Sequence, residues 1–383
     1  MTDALGRLTN ALANRYAPVS CCALLIAAEC AGGSSLRRVA TSGRDAGDCR
    51  GAPCRTIGFA VRASRPGDTV SVDSGTYHEA VTVTKRLALV GHQATIDAAG
   101  QASPPNGVLI SGDSAAGTRV AGFTIRNAGL EGIFVVRTSR ITIEYDTLLG
   151  NDAYGTDNPL CTKHQSDCGE AIHLQGVTRS VVRGTVVRGN LGGILLTDED
   201  GPTSDDTISD NTVDDNAKDC GITLAGHWFD TTAQAAVKEP VAGVYRNVVT
   251  RNTVRHNGGV GIGVFAAGPG AAAWGNVVTG NTVTQNAMPG LAVHSHTPAQ
   301  NVDGNVFRDN VVAGNGPDFD NPADRLPAGI SLFGAVVPIR GTVVGGNRIS
   351  DEHYGVITAK ADSIAGLRSN RFARSVRVPT AIH

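Results

Sequence analysis

A short unit that recurs along most of the chain constrains the fold more than any other feature of the sequence. Its first half is Asn-x-Val, a few polar residues and a second Asn, and its second half is Gly-Ile-x-Leu or a close variant. Self-similarity with a period of about 20 to 50 residues is typical of solenoids, in which each unit stacks on the next. The second half starts at eight places: Gly132, Ala171, Gly193, Gly221, Gly261, Gly290, Gly329 and Gly355.

The spacing and the alternation within the units indicate short strands. Gly193 and Gly221 are 28 positions apart, whereas Gly221 and Gly261 are 40 apart, so the longer interval carries an insertion. Apolar residues alternate with variable ones, so that one side of each strand faces inwards and needs neighbouring coils to cover it. The sequence therefore predicts an all-β, right-handed parallel β-helix, with insertions after Gly132, Gly221 and Gly290.

The corners of this solenoid are predicted to use Asn and Gly. Both residue types tolerate the left-handed backbone that tight corners need. We also expect Asn side chains to bond their counterparts in adjacent coils.

The segment before the repeats is predicted to close one end of the solenoid. From Thr56 onwards the pattern indicates an amphipathic helix, followed by a Pro-Gly turn and strands up to Ile96. Such a helix would cover the exposed apolar end of the first coil. We assign residues 49–383 to a single β-helix domain, with a capping segment at 52–100 and repeats at about 105–375.

Residues 1–48 are predicted to be an export signal or a disordered leader. Arg7 and Arg15 precede the apolar run from Ala17 to Ala28, which is followed by small residues. The run is too short to span a bilayer comfortably. We expect a secreted or cell-surface protein with no membrane span.

Cysteine usage after the leader favours an oxidising compartment. Cys49 and Cys54 could close one small loop, and Cys161 and Cys168 a second. Neither pair has the CxxC spacing of a zinc knuckle. Cys220, at the start of an apolar run, is predicted to be a small buried residue.

Composition excludes one class of partner and weakens one kind of contact. The formal net charge of -2 provides no basic field for nucleic acid, and we expect a monomer without nucleic-acid binding. Aromatic residues make up only 4% of the chain, so few rings are available to stack on sugars. The candidates near the polar face are Trp228, Phe265 and Phe333.

Two stretches resemble a known superfamily. The sequence GDTVSVDSGTYHEAVTV, followed by LALVGHQATIDAAG, resembles the N-terminal coils of the pectate-lyase-like β-helix superfamily. The repeated unit is similar to the carbohydrate-binding and NosD-like repeats of that superfamily. The resemblance extends from about Ala52 to the C-terminus, and it implies the fold and an extended carbohydrate as partner rather than one activity.

Four of the ten histidines fall on one predicted strand face and its following turn. They are His173, His227, His294 and His296. Histidines on neighbouring coils can act as general bases near neutral pH or bind a transition metal. We predict His227 and His294 as catalytic bases, and His173 and His296, with Trp228, as substrate-binding residues.

An acidic turn follows one of these strands. Asp198, Glu199 and Asp200 could hold calcium through oxygen ligands, or two of the carboxylates could act on a glycosidic bond. A solvated acidic turn is the alternative. We predict these three residues as ligands of a metal, with calcium as the candidate ion, and Asp219 as a further catalytic carboxylate.

A third candidate precedes the second cysteine pair. The stretch from Tyr154 to Pro159 partly resembles the Tyr-Gly-x-Asp-Pro-His motif of mannuronan C5-epimerases. Tyr154 and Asp157 match, whereas the His is absent from its place and His164 is the nearest substitute. The resemblance implies Tyr154 as a catalytic acid and Asp157 as a substrate-binding residue.

Four functional hypotheses remain open at this point. The leading hypothesis is an exported lyase or epimerase that abstracts a proton from a uronate in an acidic polysaccharide. The first alternative is a glycoside hydrolase that uses two carboxylates among Asp198, Glu199, Asp200 and Asp219. The second is a non-catalytic module of the NosD-like type that binds carbohydrate or metal, and recruitment of the scaffold for small-molecule chemistry also stays open.

Overall fold

A computed structural model describes residues 34–101, 103, 105–152, 169–227, 242–321 and 325–383. These residues form a stack of coils in which each strand pairs in parallel with its counterpart in the next coil. The prediction of an all-β solenoid is confirmed. One α-helix, α1 (Ile57–Ala63), and two 3-10 turns, Asp113–Ala115 and Leu367–Ser369, complete the described structure.

The larger sheet has 20 strands and carries the Asn-x-Val halves of the units. Numbered in chain order, its strands are β1 (Leu36–Val39), β2 (Thr69–Val72), β3 (Gly75–Tyr77), β5 (Ala88–Asp97), β7 (Arg119–Arg126), β9 (Thr142–Glu144), β10 (Thr147–Leu149), β12 (Val181–Arg183), β13 (Val186–Arg188), β16 (Thr207–Ser209), β17 (Thr212–Asp214), β20 (Val248–Thr250), β21 (Thr253–Arg255), β24 (Val277–Thr279), β25 (Thr282–Thr284), β27 (Val306–Arg308), β28 (Val311–Ala313), β31 (Val343–Gly345), β32 (Arg348–Ser350) and β35 (Arg371–Phe372).

The second sheet has 14 strands and carries the Gly-Ile halves of the units. Its strands are β4 (Val81–Val83), β6 (Val108–Ser111), β8 (Ile133–Ser139), β11 (Glu170–Thr178), β14 (Gly192–Thr197), β15 (Thr203–Ser204), β18 (Ile222–Gly226), β19 (Val244–Tyr245), β22 (Ile262–Ala266), β23 (Ala273–Trp274), β26 (Leu291–Ser295), β29 (Ala328–Gly334), β33 (Tyr354–Ala359) and β36 (Val378–Ile382). Strands β30 (Ile339–Arg340) and β34 (Ala361–Asp362) form a separate two-stranded sheet, and both contact β29.

The register of the second sheet agrees with the sequence alignment of the units. Ile172 pairs with Ile133 and Ile194, and the same column continues through Ile222 and Ile262. These side chains are essentially inaccessible and form the core. Along each strand, the residues that alternate with the core positions point outwards. The outward positions are therefore where the predicted functional residues should be found.

Three ladders of buried Asn side chains run along the stack and hold the corners. In one rung, the Asn281 Oδ1 accepts hydrogen bonds from the backbone N–H and the Nδ2 of Asn252, at 2.9 and 3.0 Å. Asn252 Nδ2 also donates to the Ile208 carbonyl at 2.9 Å, in the coil before. The ladders comprise Asn247, Asn276 and Asn305; Asn211, Asn252, Asn281, Asn310, Asn347 and Asn370; and Asn151, Asn190, Asn216, Asn257, Asn286 and Asn315.

At every ladder Asn except Asn370, the left-handed residue of the corner comes directly before the Asn rather than being the Asn itself. Gly280, before Asn281, has a φ of 67°, and Arg251, before Asn252, has a φ of 55°. Glycine accepts this backbone without a steric penalty, which explains the recurring Gly-Asn dipeptide. The expectation of Asn and Gly at the corners is confirmed, with this division of roles.

The Gly that starts each Gly-Ile motif is required by close packing between coils. A Cβ at Gly221 would overlap the Val254 side chain and the Gly261 carbonyl of the next coil. A Cβ at Gly261 would meet Val283 and the Gly290 carbonyl in the same way. The first position of the motif is therefore Gly because successive coils approach too closely for a side chain there.

Helix α1 lies beside the first strands, as the sequence predicts. The Thr56 hydroxyl accepts from the Phe59 N–H as the N-cap, and Glu79 accepts from the N–H groups of Ile57 and Gly58, each at 2.8 Å. The helix packs on β1, β2 and β4 and buries Ile57.

The sequence predicts that the β-helix domain starts at residue 49, but in the structure its first strand lies earlier, at β1. Strand β1 pairs with β2, and Arg37, only 2% exposed, is bound through two nitrogens to Asp68 at 2.7 and 2.9 Å. A buried guanidinium with a carboxylate partner fixes this strand to the first coil.

The predicted Cys49–Cys54 disulfide is present, whereas Cys161 and Cys168 lie outside the described residues. Cys220 is partly buried, its Sγ accepts from the Val260 N–H at 3.3 Å, and burial raises the pKa of its thiol. None of the helices in the described part of the chain is long and apolar enough to cross a membrane.

Candidate active site

The strand register brings the predicted histidines to the outward face of the second sheet and to the turn at the C-terminal ends of its strands. His173 lies within β11 and His294 within β26, and His227 directly follows β18. Four strand spacings of about 4.8 Å separate β11 from β26, so the histidines form two clusters rather than one pocket.

The first polar cluster consists of Glu131, His173, Thr197, Glu199 and His227. The Nε2 of His173 is 2.8 Å from the Thr197 hydroxyl, and its Nδ1 is 3.5 Å from the Glu131 carboxylate. The Nδ1 of His227 is 2.9 Å from Glu199 Oε1. The cluster therefore runs from a buried end at Glu131 to an accessible end at His227.

Exposure distinguishes the two ends of the first polar cluster. The side chain of His173 is 1% exposed, whereas those of His227 and Glu199 are 12% and 25% exposed. A substrate could therefore reach His227 and Glu199 more readily than His173, which we had predicted to bind substrate.

The charge of Glu199 is set by its neighbours. Burial raises the pKa of this carboxyl, but the hydrogen bond with His227 and the electrostatic interactions with His227 and His173 outweigh burial and lower the pKa to about 2. Glu199 is therefore ionised at neutral pH and suited to orienting the His227 ring.

The second polar cluster consists of His294, His296, Asp318, Asp320 and Ser331. His294 is completely buried, with its Nε2 2.9 Å from Asp318 Oδ2 and its Nδ1 3.3 Å from Asp320 Oδ2. The Ser331 hydroxyl donates to the same Asp318 oxygen. His296 lies against the His294 ring at a centroid distance of 5.5 Å.

The two histidines of the second polar cluster differ in pKa. Burial lowers the pKa of His294, but the nearby carboxylates of Asp318 and Asp320 outweigh it and raise the pKa to about 9. For His296, burial and the neighbouring charge of His294 lower the pKa. His294, buried and facing a carboxylate on each ring nitrogen, is poorly suited to the role of base that we had predicted for it.

One row of residues along the edge of the second sheet connects the clusters. Gly226 pairs with Ala266, and Ala266 with Ser295, so His227 and His296 occupy the same column with Ala267 between them. Two strand spacings separate the backbone positions of His227 and His296 by about 10 Å. Ala267, the residue between them, is exposed and carries only a methyl group.

The three carboxylates of the acidic turn have separate partners. Asp198 accepts from the His227 N–H at 2.7 Å, and Glu199 contacts the ring of His227. Asp200 accepts from Gln175 Nε2 at 2.6 Å and lies 3.6 Å from Arg137. The three carboxylates therefore contact three different groups. Calcium binding at this turn stays a prediction.

Asp219 and His227 lie at opposite ends of β18 and do not form one site. Asp219 precedes β18, whereas His227 follows this strand, so on the order of 20 Å of extended chain separates them. Asp219 Oδ1 instead accepts from the Cys220 N–H at 2.6 Å. Tyr154, Asp157 and Trp228 lie outside the described residues, and their predicted roles stay predictions.

Sequence reasoning missed Glu131, Asp318, Asp320 and Ser331. Glu131 stands directly before the Gly132-Ile133 motif, and its contact with His173 depends on side-chain direction across coils. Asp318 and Asp320 lie between β28 and β29, in the interval from Gly290 to Gly329 that the spacing marks as long. That interval was the available signal for both aspartates.

The coil geometry and the ladder register define a parallel β-helix with polar clusters on one sheet edge. The chain belongs to the family described as "Right handed beta helix region", whose model matches residues 106–307. No curated protein matches the sequence.

Solved structures of the same fold cover most of the chain at low identity. The A-module of mannuronan C-5 epimerase AlgE6 from Azotobacter vinelandii is 14% identical, with a TM-score of 0.54, over 85% of this chain and 89% of its own. Pectate lyase Pel9A is 14% identical, with a TM-score of 0.51, over 88% and 79%. The Dettilon tailspike protein (gp208) is 16% identical, with a TM-score of 0.57, over 85% and 63%. These similarities show the fold.

Proposed function

We propose that the protein is an exported enzyme that acts on an acidic polysaccharide by abstracting a proton beside a uronate carboxylate, as a lyase or an epimerase. The observation that carries this proposal is the pair of His227 and Glu199 at the accessible end of the first polar cluster. Two structural neighbours are named mannuronan C-5 epimerase and pectate lyase, which supports a polyuronate as the substrate class.

In this proposal His227 is the base and Glu199 is a positioning residue. Glu199 contacts Nδ1 and fixes the ring, so Nε2 is the nitrogen through which the proton is taken. The carboxylate also stabilises the imidazolium that forms after proton abstraction. Thr197 and His173 lie on the buried side of Glu199, are bonded to each other, and contribute to lowering its pKa.

Proton abstraction beside a carboxylate also needs a cation that neutralises the substrate. Arg137 is 68% exposed at its side chain and lies 3.6 Å from Asp200, at the same sheet edge. A guanidinium binds a carboxylate with two parallel hydrogen bonds. We assign this role to Arg137 and keep Tyr154 as the acid that protonates the leaving oxygen.

The glycoside hydrolase alternative lacks a matched pair of carboxyl groups among the described residues of the first polar cluster. A hydrolase needs one protonated carboxyl as the acid, with a raised pKa. Glu199 has a pKa lowered to about 2, and Asp219 lies at the other end of β18. The lyase or epimerase is therefore the better supported reaction.

Export is part of the same proposal. The Cys49–Cys54 disulfide is of the kind that persists in oxidising compartments. The apolar run from Ala17 to Ala28 has the composition of an export signal.

The test is incubation of the purified protein with polymannuronate, polyguluronate and polygalacturonate in deuterated water. For an epimerase we expect an epimerised residue that carries deuterium at C5, and for a lyase an unsaturated product, whose C5 has lost its hydrogen to the base. His227→Ala should abolish these signals, and Glu199→Gln should lower kcat on the order of tenfold or more with little change in KM. His256→Ala is the matched control, because His256 is bonded to Asp214 near the larger sheet.

Three results contradict the proposal. New reducing ends without an unsaturated product indicate a hydrolase, and saturable binding without any chemical change indicates a binding module. A Glu199→Gln variant with raised KM and unchanged kcat would show that Glu199 binds substrate and does not position the base.

A further inference from the structure

Three side chains of the second polar cluster converge on one point. One potential ligand atom from each of His294, His296 and Asp320 lies within 4.8 Å of the others. Within the described part of the chain, this is the one group of three His, Cys, Asp or Glu side chains whose potential ligand atoms lie this close together. The three residues come from a strand, the turn after it and the insertion before β29.

The ring of His294 is oriented by a separate carboxylate. Its Nε2 is 2.9 Å from Asp318, which also accepts from the Ser331 hydroxyl. Its Nδ1 is buried, makes no hydrogen bond within the protein and faces Asp320 at 3.3 Å. A histidine whose second nitrogen is held by a carboxylate, with the first directed at other ligands, is the usual arrangement around bound metal ions.

The surroundings keep the ligands in place. Phe265 and Phe333 lie on either side of His294 along the strand column, at centroid distances of 5.1 and 5.9 Å. Gln300 accepts from the N–H groups of His296 and Thr297 at 2.6 and 2.9 Å and donates to the Ala266 carbonyl. The turn that carries His296 is thus tied to the neighbouring coil before any ligand binds.

We propose that His294, His296 and Asp320 bind a divalent transition metal ion such as Zn²⁺. Two imidazoles and one carboxylate suit zinc and other first-row metals, whereas calcium is bound by oxygen ligands. Three protein ligands leave at least one position for water or a substrate oxygen. This site is distinct from the acidic turn at Asp198–Asp200 and does not depend on the reaction proposed for His227.

The test is Zn²⁺ titration of the full chain after treatment with a chelator, followed by calorimetry and by metal analysis after dialysis. We expect one zinc ion per chain at this site, and visible absorption bands of ligand-bound Co²⁺ when cobalt replaces zinc. His296→Ala and Asp320→Ala should each remove the cobalt bands. Asp318→Asn should weaken zinc binding about 10- to 100-fold, because it removes only the group that orients His294.

His256→Ala controls for loss of a histidine elsewhere on the coil surface, and circular dichroism confirms that each variant is folded. Unchanged zinc affinity in both His296→Ala and Asp320→Ala would overturn the proposal, even if zinc binds elsewhere. So would tighter binding of Ca²⁺ than of Zn²⁺, or the absence of bound zinc in the wild type. None of these readouts requires a substrate.

Discussion

Three buried carboxyl groups occupy ladder positions that other coils fill with Asn, Ser or Thr. Asp146 and Glu352 have pKa values that burial raises to about 7, and burial raises the pKa of Asp206 well above its usual range. Each accepts a backbone hydrogen bond as a ladder Asn does, for example from the Phe123 N–H to Asp146 at 2.8 Å. Each lacks the amide that would donate onwards. These residues match the ladder best when they are protonated.

This arrangement predicts a stability that depends on pH through Asp146. Because its pKa is near 7 in the folded state and near 3.8 when unfolded, its contribution is full below about pH 4 and is lost as the pH rises to about 7. Asp146→Asn should therefore raise the free energy of unfolding at pH 8 by on the order of 1–3 kcal/mol relative to wild type, and by less at pH 4.5. Thermal unfolding at both pH values measures the difference.

Asp215→Asn is the matched control for this substitution, because Asp215 is an exposed corner residue with a φ of 59°. It should change the unfolding temperature by a similar small amount at both pH values. If the effect of Asp146→Asn on the free energy of unfolding is the same at pH 4.5 and pH 8, the titration of Asp146 is not its cause.

At the scale of elements, the strands are too short to hold their own register. Most strands of the larger sheet have three residues, so each contributes few ladder hydrogen bonds. The Asn side chains that precede these strands add hydrogen bonds between neighbouring coils. These side chains are almost completely buried, with Asn252 and Asn281 each 1% exposed. The corner rather than the strand is therefore the element that fixes how coils align.

Removing one rung should cost more than removing an exposed side chain on the adjacent strand. Asn281→Ala leaves the backbone N–H and the Nδ2 of Asn252 without their acceptor, inside the protein. Unsatisfied buried groups cost about 1–3 kcal/mol each, so we expect a loss of about 2–4 kcal/mol in the free energy of unfolding. Urea unfolding gives the value.

Thr282→Ala, one residue further along at an exposed position, is the control and should cost less than about 1 kcal/mol. Equal losses for the two variants would show that the rung contributes nothing beyond strand propensity.

At the scale of the whole molecule, each coil contacts mainly the coils before and after it. Stability in such a stack is the sum of the stabilities of the coils and of the interfaces between them. The central coils have an interface on both faces, and Val278 and Val283 there are fully buried. The last strand, β36, has one partner, β33, and its Ile382 is 68% exposed.

Amide exchange should therefore be slowest in the middle of the stack and fastest at its C-terminal end. Peptides that cover β24 and β25 should keep their protons longest, because their opening needs two interfaces to break. Peptides that cover β35 and β36 should exchange first. Mass spectrometry of hydrogen exchange under native conditions measures both, and equal protection of the two regions would contradict stepwise stability.

The sequence predicted the stack and its register because both depend on a repeated pattern. The alignment of Ile172, Ile194 and Ile222 followed from the Gly-Ile motif and agrees with the strand pairing. The same register places His227 and His296 in equivalent positions of their coils. Side-chain contacts could not be predicted in the same way, because the link from His294 to Asp318 crosses 24 residues and an insertion whose sequence does not follow the repeat.

The ladder residues of the central coils also bear on how such a chain can change over evolutionary time. Asn247, Asn276 and Asn305 follow one another at intervals of 29 residues, and so do Asn252, Asn281 and Asn310. A stretch of 29 residues taken from any point in this region begins and ends on matching surfaces. An in-frame gene duplication or deletion of that length would keep every rung paired, so the protein can lengthen or shorten by whole coils without losing a rung.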